Sequence, residues 1–291
     1  LYRASLFNGA PIVGRMAAAP ESILVIAADV LIDAMVPFVD WKRRQGLTVA
    51  VTPMSMIGTS AEDVLAYLSG LPATARPSFV LLVGDANLVP PLYGCLNEDG
   101  PPCASDWLFS TLVGDDLYSD VIVSRLSAHT PADVAIQVQR ALAFEMTPPT
   151  GASSVWFTAA TLISSSQGEG ESNDDHYCDL FGDRLASAGY TTLDKFYNSL
   201  QTDYAASISS SINLGRGILA YFGHGSGTEW TTTRPPYSQA HIASLTNVGR
   251  PPVIVDVSCA NGAFDREGDC MAESWMKAGT PDAPTGGIVT Y

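Results

Sequence analysis

Short, continuous apolar runs separated by helix-length segments are the feature that most constrains this chain. Ile23-Leu24-Val25-Ile26-Ala27, Leu47 to Val51, Phe79-Val80-Leu81-Leu82-Val83 and Val121-Ile122-Val123 form one series, and Val155 to Ile163, Thr191 to Tyr197, Gly217 to Phe222, Pro252 to Val257 and Gly287 to Tyr291 form a second. Runs without polar alternation are strands buried on both faces, the habit of a parallel sheet covered by helices. The intervening segments supply those helices. Val30 to Gly46 carries an apolar stripe at Leu31, Met35, Phe38, Val39 and Lys42. Thr59 or Ser60 caps a helix through Leu68, Thr130-Pro131-Ala132-Asp133 opens one to about Glu145, and further helices are predicted over Asp174 to Gly189, Thr202 to Leu214, Gln239 to Leu245 and Asp269 to Ala278. Strand alternating with helix predicts an α/β fold with open, mostly parallel sheets.

The proline and glycine cluster from Thr147 to Ser153 divides the chain. Residues 1–20 read as a lead-in segment, 21–150 as an N-terminal subdomain, and 151–291 as a C-terminal subdomain that ends on what should be a core strand, so continuation beyond Tyr291 is expected. The halves share an architecture without a residue-level repeat. A formal charge of −15 excludes nucleic acid as a partner, since phosphate binding needs a cationic surface, and suits a cationic substrate or Ca²⁺. No apolar run reaches the ~18 residues of a membrane span, and Leu1 to Met16 lacks the pattern of a signal peptide. Of the five cysteines at 95, 103, 178, 259 and 270, Cys95 and Cys103 flank a loop they can close as a disulfide; Cys178 and Cys270 are either a second pair or free core thiols.

Chemistry concentrates at two strand ends. One apolar run delivers Gly223-His224-Gly225-Ser226, and the other Ser258-Cys259-Ala260-Asn261-Gly262. Ligands of open α/β sheets gather beyond the carboxyl ends of strands, and a thiol beside an imidazole is an activated nucleophile. The glycines let a substrate approach closely, and the N–H groups of Gly225 and Cys259 can donate to a developing oxyanion. Taken singly, each residue has a plainer reading, as a core thiol and a structural turn histidine. His176 reads as a helix-face residue, His129 and His241 carry no signal, Glu229 and Trp230 are placed at the rim, and Trp107 and Trp156 in the core. Asp115, Asp116 and Asp120 form an acidic loop, either a solvated turn or a structural Ca²⁺ site.

Gly223-His224-Gly225-Ser226 with Trp230, and Asp256-Val257-Ser258-Cys259-Ala260-Asn261-Gly262 with Phe264, resemble the catalytic signature of the gingipain family of cysteine endopeptidases, relatives of caspases and legumains. The resemblance extends to Phe38-Val39-Asp40-Trp41-Lys42 with Gly46-Leu47, to Val80 through Asp85, and to Val113 through Tyr118 with Arg125, covering roughly residues 22 to 291. It implies a caspase-like three-layer fold, a protein or peptide substrate, no cofactor for catalysis, structural Ca²⁺, and a bacterial protein that is secreted or on the cell surface. Cys259 would be the nucleophile and His224 the general acid/base.

In that family, the loop after the first strand of the second subdomain supplies an acid that orients the histidine and a carboxylate that selects Arg or Lys at P1. Here Gln167 falls where the orienting acid is expected, with Glu169 close by, and Asn173 where the pocket carboxylate is expected, with Asp174 one residue on. Ala263 stands where the family often has an acid. Two alternatives to hydrolysis stay open from these residues: a sortase-like transpeptidase sharing the thioester intermediate, and an idle binding relative, for which Gln167 is the support.

Overall fold

The computed structural model describes residues 21–94, 102–114, 116–199 and 204–291. The lead-in segment and Cys95, half of the expected disulfide, lie outside the described residues.

The first half contains β1 (Ser22–Ala27), α1 (Val36–Arg44), β2 (Thr48–Pro53), α2 (Ala61–Ser69), β3 (Phe79–Val83), the small pair β4 (Leu92–Gly94) and β5 (Cys103–Ser105), β6 (Ile122–Leu126) and α3 (Pro131–Met146). Four of these strands form a parallel sheet in the order β2-β1-β3-β6. The second half contains β7 (Ala159–Ser164), α4 (Asp174–Ser187), β8 (Thr192–Tyr197), α5 (Ala205–Asn213), β9 (Ile218–Phe222), the pair β10 (Glu229–Trp230) and β11 (Tyr237–Ser238), α6 (Gln239–Ala243), β12 (Val253–Val257), α7 (Met271–Lys277), the pair β13 (Gly279–Thr280) and β14 (Ala283–Pro284), and β15 (Val289–Thr290). Its parallel sheet runs β15-β12-β9-β7-β8. Each sheet is buried on both faces by separate apolar clusters, as unalternated strands require.

Local chemistry sets the helix starts. Ser60 and Thr130 each accept from the backbone N–H three residues on, while Asp63 and Asp133 return the bond to the cap, so two capping boxes open α2 and α3. The helix expected from Val30 begins as α-helix only at Val36, after two short 3₁₀ turns, because Pro37 has no N–H to give and fits only a first turn. Likewise the strand expected from Val155 starts at Ala159, preceded by a 3₁₀ segment over Gly151–Thr158.

A polar seam joins the halves. The Arg140 guanidinium, almost wholly buried, reaches from α3 to the carbonyl oxygens of Met276 (2.9 Å), Ala278 (3.1 Å) and Gly287 (2.6 Å). Desolvation lowers its pKa to about 10. The Ser127 hydroxyl donates to Glu273 and lies 3.3 Å from Asp85 Oδ1, and His129 lies between Asp85 and Asp269. Cys178 and Cys270 are free buried thiols. Burial raises both, Cys270 to about 12, which leaves them inert.

Candidate active site

Three adjacent parallel strands end at one level. Val257 of β12 pairs with Phe222 of β9, and Phe222 pairs with Ser164 of β7. The ladder continues one step beyond, with Gly223 N–H donating to Val257 O (3.2 Å) and Ser165 N–H to Phe222 O (2.9 Å). Register therefore delivers the Gln167 loop, the His224 loop and the Cys259 loop side by side.

The His224 backbone is pinned while its ring stays in solvent. Its carbonyl oxygen accepts from Thr231 N–H (3.0 Å), Thr231 Oγ1 (3.0 Å) and Tyr221 Oη (2.9 Å). Nε2 of the ring donates to Gln167 Oε1 at 2.7 Å. With an amide oxygen facing Nε2, that nitrogen carries the proton and Nδ1 is the basic position. Gln167, a neutral group, thus makes the side-chain contact to the His224 ring. Glu169 sits exposed two residues on and does not make this contact.

The loop that presents Gln167 is braced from within. Ser164 Oγ (2.5 Å) and Ser166 Oγ (2.8 Å) donate to Asp175 Oδ1, Ser199 Oγ donates to Asp175 Oδ2 (3.1 Å), and Ser165 Oγ donates to Asp174. Asn173 caps α4 by accepting from Asp175 N–H (2.7 Å), and its amide donates to Gly168 O (3.1 Å). Acids in the first turn of a helix are favoured by its positive end. Asn173 and Asp174 are half-buried there, two turns of chain from Gln167, whose carbonyl accepts from Asp174 N–H (2.8 Å).

Cys259 is exposed at the end of β12. The next residue, Ala260, has φ +63°, a left-handed conformation that costs a residue with a Cβ ~1–3 kcal/mol and persists only where surroundings enforce it. A Cβ on Gly225 would fall onto the Cys259 carbonyl oxygen and within 2.6 Å of Asn261 Oδ1, so only glycine lets the His and Cys loops touch. Gly227 N–H donates to Asn261 Oδ1 (3.0 Å), a second tie between the loops.

Trp230 is a correction. Expected at the rim, it is 0% exposed, stacked between Tyr221 (4.6 Å between centroids) and Tyr237 (5.1 Å), because the β10–β11 hairpin turns it inward. Truncating a ring so packed costs ~3–5 kcal/mol, and its indole N–H donates to Asp256 Oδ2 at 2.8 Å. Glu229, its neighbour, is half-buried. Trp107, expected in the core, is 39% exposed, whereas Trp156 is buried. Asp256 and Asn261, part of the signature but without roles there, are central to this polar cluster; an acid inside an otherwise apolar strand is the available signal.

In the described part of the acidic loop, the carboxylates of Asp116 and Asp120 accept from backbone N–H groups. Asp120 Oδ2 is taken by the N–H groups of Leu112 (2.7 Å) and Val113 (2.9 Å), Asp116 Oδ1 accepts from Tyr118 N–H (2.9 Å), and Asp115 lies outside the described residues. Among the described residues no three His, Cys, Asp or Glu side chains gather as a metal site.

An α/β sheet that offers a thiol and an imidazole from neighbouring strand ends, across glycines, is an arrangement that suits cysteine-peptidase chemistry. Residues 17–291 match the sequence model of Peptidase family C25, and the chain belongs to that family. Gingipain R2 of Porphyromonas gingivalis is 30% identical over 272 residues, covering 86% of this chain and 34% of the relative. Lys-gingipain of the same bacterium is 25% identical over 267 residues, covering 87% and 15%. The crystal structure of the Arg specific cysteine proteinase gingipain R superposes with a TM-score of 0.82 at 27% identity, covering 94% of this chain and 64% of that one. The chain thus spans about a third of the length of gingipain R2.

Proposed function

We propose that the chain is the catalytic part of a cysteine endopeptidase with a preference for Arg or Lys at P1, acting on protein substrates outside the bacterial cell. The observation that carries this reading is the arrangement at three adjacent strand ends, where His224, held through Nε2 by Gln167, stands on the strand next to that of Cys259. Because Gln167 makes the orienting contact, its neutrality is no mark of an idle site.

In this reading, His224 takes the thiol proton at Nδ1, and the thiolate sulfur attacks the scissile carbonyl carbon. The N–H groups of Gly225 and Cys259 receive the oxyanion. Collapse of the tetrahedral adduct breaks the C–N bond, His224 returns its proton to the leaving amine, and water deprotonated by His224 hydrolyses the thioester. The acids at Glu169, Asp174 and Asp175 give the substrate side of the loop a negative field that suits a cationic P1, and the names of the Arg specific and Lys- relatives support the same preference. Among the described residues no helix is long and apolar enough to cross a membrane.

A positional-scanning peptide library with a peptidyl-arginyl chloromethyl ketone is the test. Cleavage after Arg or Lys, and alkylation confined to Cys259, are expected; a protein that cleaves nothing and leaves Cys259 unmodified sinks the reading.

A further inference from the structure

Beneath the two reactive loops lies a polar cluster in which one side chain serves both. Asp256, the penultimate residue of β12, lies three residues before Cys259, and its carboxylate accepts three hydrogen bonds: Ser258 Oγ on Oδ1 (2.6 Å), and Trp230 Nε1 (2.8 Å) and Asn261 Nδ2 (3.1 Å) on Oδ2. Ser258 and Asn261 flank the nucleophile, and Asn261 Nδ2 also donates to Ser258 Oγ (2.9 Å), closing a ring around the Cys259-Ala260 turn.

The other partners belong to the histidine loop. Trp230 pairs across the strand bridge with Gly225, the residue after His224, and Asn261 Oδ1 holds Gly227 N–H. Two ties therefore join the loops: Trp230 reaches the Cys259 loop through Asp256, and Asn261 holds Gly227 directly while Asp256 anchors the amide end of its side chain. The left-handed Ala260 is the strained element that such a brace must hold, since no local preference keeps an alanine there.

We propose that Asp256 is a positioning residue that fixes the Cys259 turn against the His224 loop through Trp230 and Asn261. The proposal rests on the peptidase reading, and it assigns Asp256 no contact with substrate. A carboxylate suits the place because its two oxygens accept without needing to donate, which three converging donors demand. Burial pushes the pKa of the group up, and the hydrogen bonds from Ser258, Trp230 and Asn261 oppose that shift only in part. A purely structural position would more cheaply carry an apolar residue.

The test uses the whole chain with an arginyl aminomethylcoumarin peptide as substrate and iodoacetamide as a probe of the thiol. In Asp256→Ala and in Asn261→Ala, kcat falls ~100-fold with KM within ~3-fold, the scale expected when reacting groups are misplaced by about 1 Å. The double variant is no worse than either single one, because both remove the same brace. Asp256→Asn, whose one carbonyl oxygen can still take the Trp230 and Asn261 donors while Ser258 turns its hydroxyl to accept from the new amide, loses activity but stays ~10-fold or more above Asp256→Ala. Losses that multiply in the double variant, or an Asp256→Asn as poor as the alanine variant, or a change confined to KM, overturn the proposal.

If Asp256→Ala fails to fold, Trp230→Phe and Asn261→Ala carry the test, since each removes donors while sparing the carboxylate; unchanged kcat in both overturns it. If the parent itself hydrolyses nothing, the peptidase reading fails separately. Alkylation then decides: at pH 6.5 Cys259 reacts ~10-fold more slowly in Asp256→Ala than in the parent if the brace holds the thiol by the imidazole, and equal rates overturn the proposal.

Discussion

Strands β3 and β9 are alike until they end. Each has five apolar residues at the centre of a parallel sheet, and each is followed by glycine and one ionisable residue, Gly84-Asp85 in the first half and Gly223-His224 in the second. Asp85 turns inward: it is 7% exposed, meets Ser127 and His129, and its backbone carbonyl stops the chain by accepting from Leu88 and Val89. His224 turns outward, with its backbone tied down and its ring bonded, among the described residues, at one edge to the exposed Gln167. The same scaffold therefore places an ionisable group at a strand end twice, once as a fastener between halves and once as a reagent. Topology chooses the position, while the packing of the following loop chooses whether the group is spent on structure or left for chemistry.

The comparison can be broken most sharply at Gly225. Gly225→Ala should cut kcat/KM ~100-fold or more, because the new Cβ would drive the His loop away from Cys259 and displacements near 1 Å cost that much, while the melting temperature moves little. Comparable losses of activity and of melting temperature would erase the distinction between reagent and fastener at this strand end.

The fastening side is probed by Arg140→Met, which takes the guanidinium from the Met276 and Gly287 carbonyls, while Ala278 O keeps the Thr285 N–H. Stability should fall by ~3 kcal/mol, read as a denaturant midpoint shift, since each orphaned buried acceptor costs ~1–3 kcal/mol and removal of a desolvated charge returns part of it. The kcat of the folded fraction should be unaltered.

The smallest effect is expected at Gln167. In Gln167→Glu a carboxylate would face Nε2 of His224, favour the imidazolium, and hold the charged ring to a pH ~1 unit higher. Alkylation of Cys259 and hydrolysis should then shift their pH profiles upward with little change at the optimum. A profile identical to that of the parent would mean that the 2.7 Å contact does not orient the ring in solution.

Much of the architecture is legible without coordinates because its causes are local. The capping boxes at Ser60 with Asp63 and Thr130 with Asp133 lie within three residues, and the unalternated runs that become β3, β9 and β12 announce two buried faces. Misread boundaries fall where a local rule competed with a pattern, as at Pro37, whose missing N–H overrode the apolar stripe begun at Leu31. Family likeness added the pairing of His224 with Cys259.

What the sequence by itself determined is the alternation of strand and helix, the caps, and the two strand ends that carry imidazole and thiol, since each depends on residues within a turn or a strand's length. Only the tertiary structure decided that Gln167 rather than Glu169 reaches His224 across 57 residues of chain, that Trp230 is a packed donor instead of a rim, and that Asp256 joins both loops. Those outcomes depend on the register of β7, β9 and β12 and on which way a hairpin folds over them, and sheet register is set by the packing of strands remote in sequence.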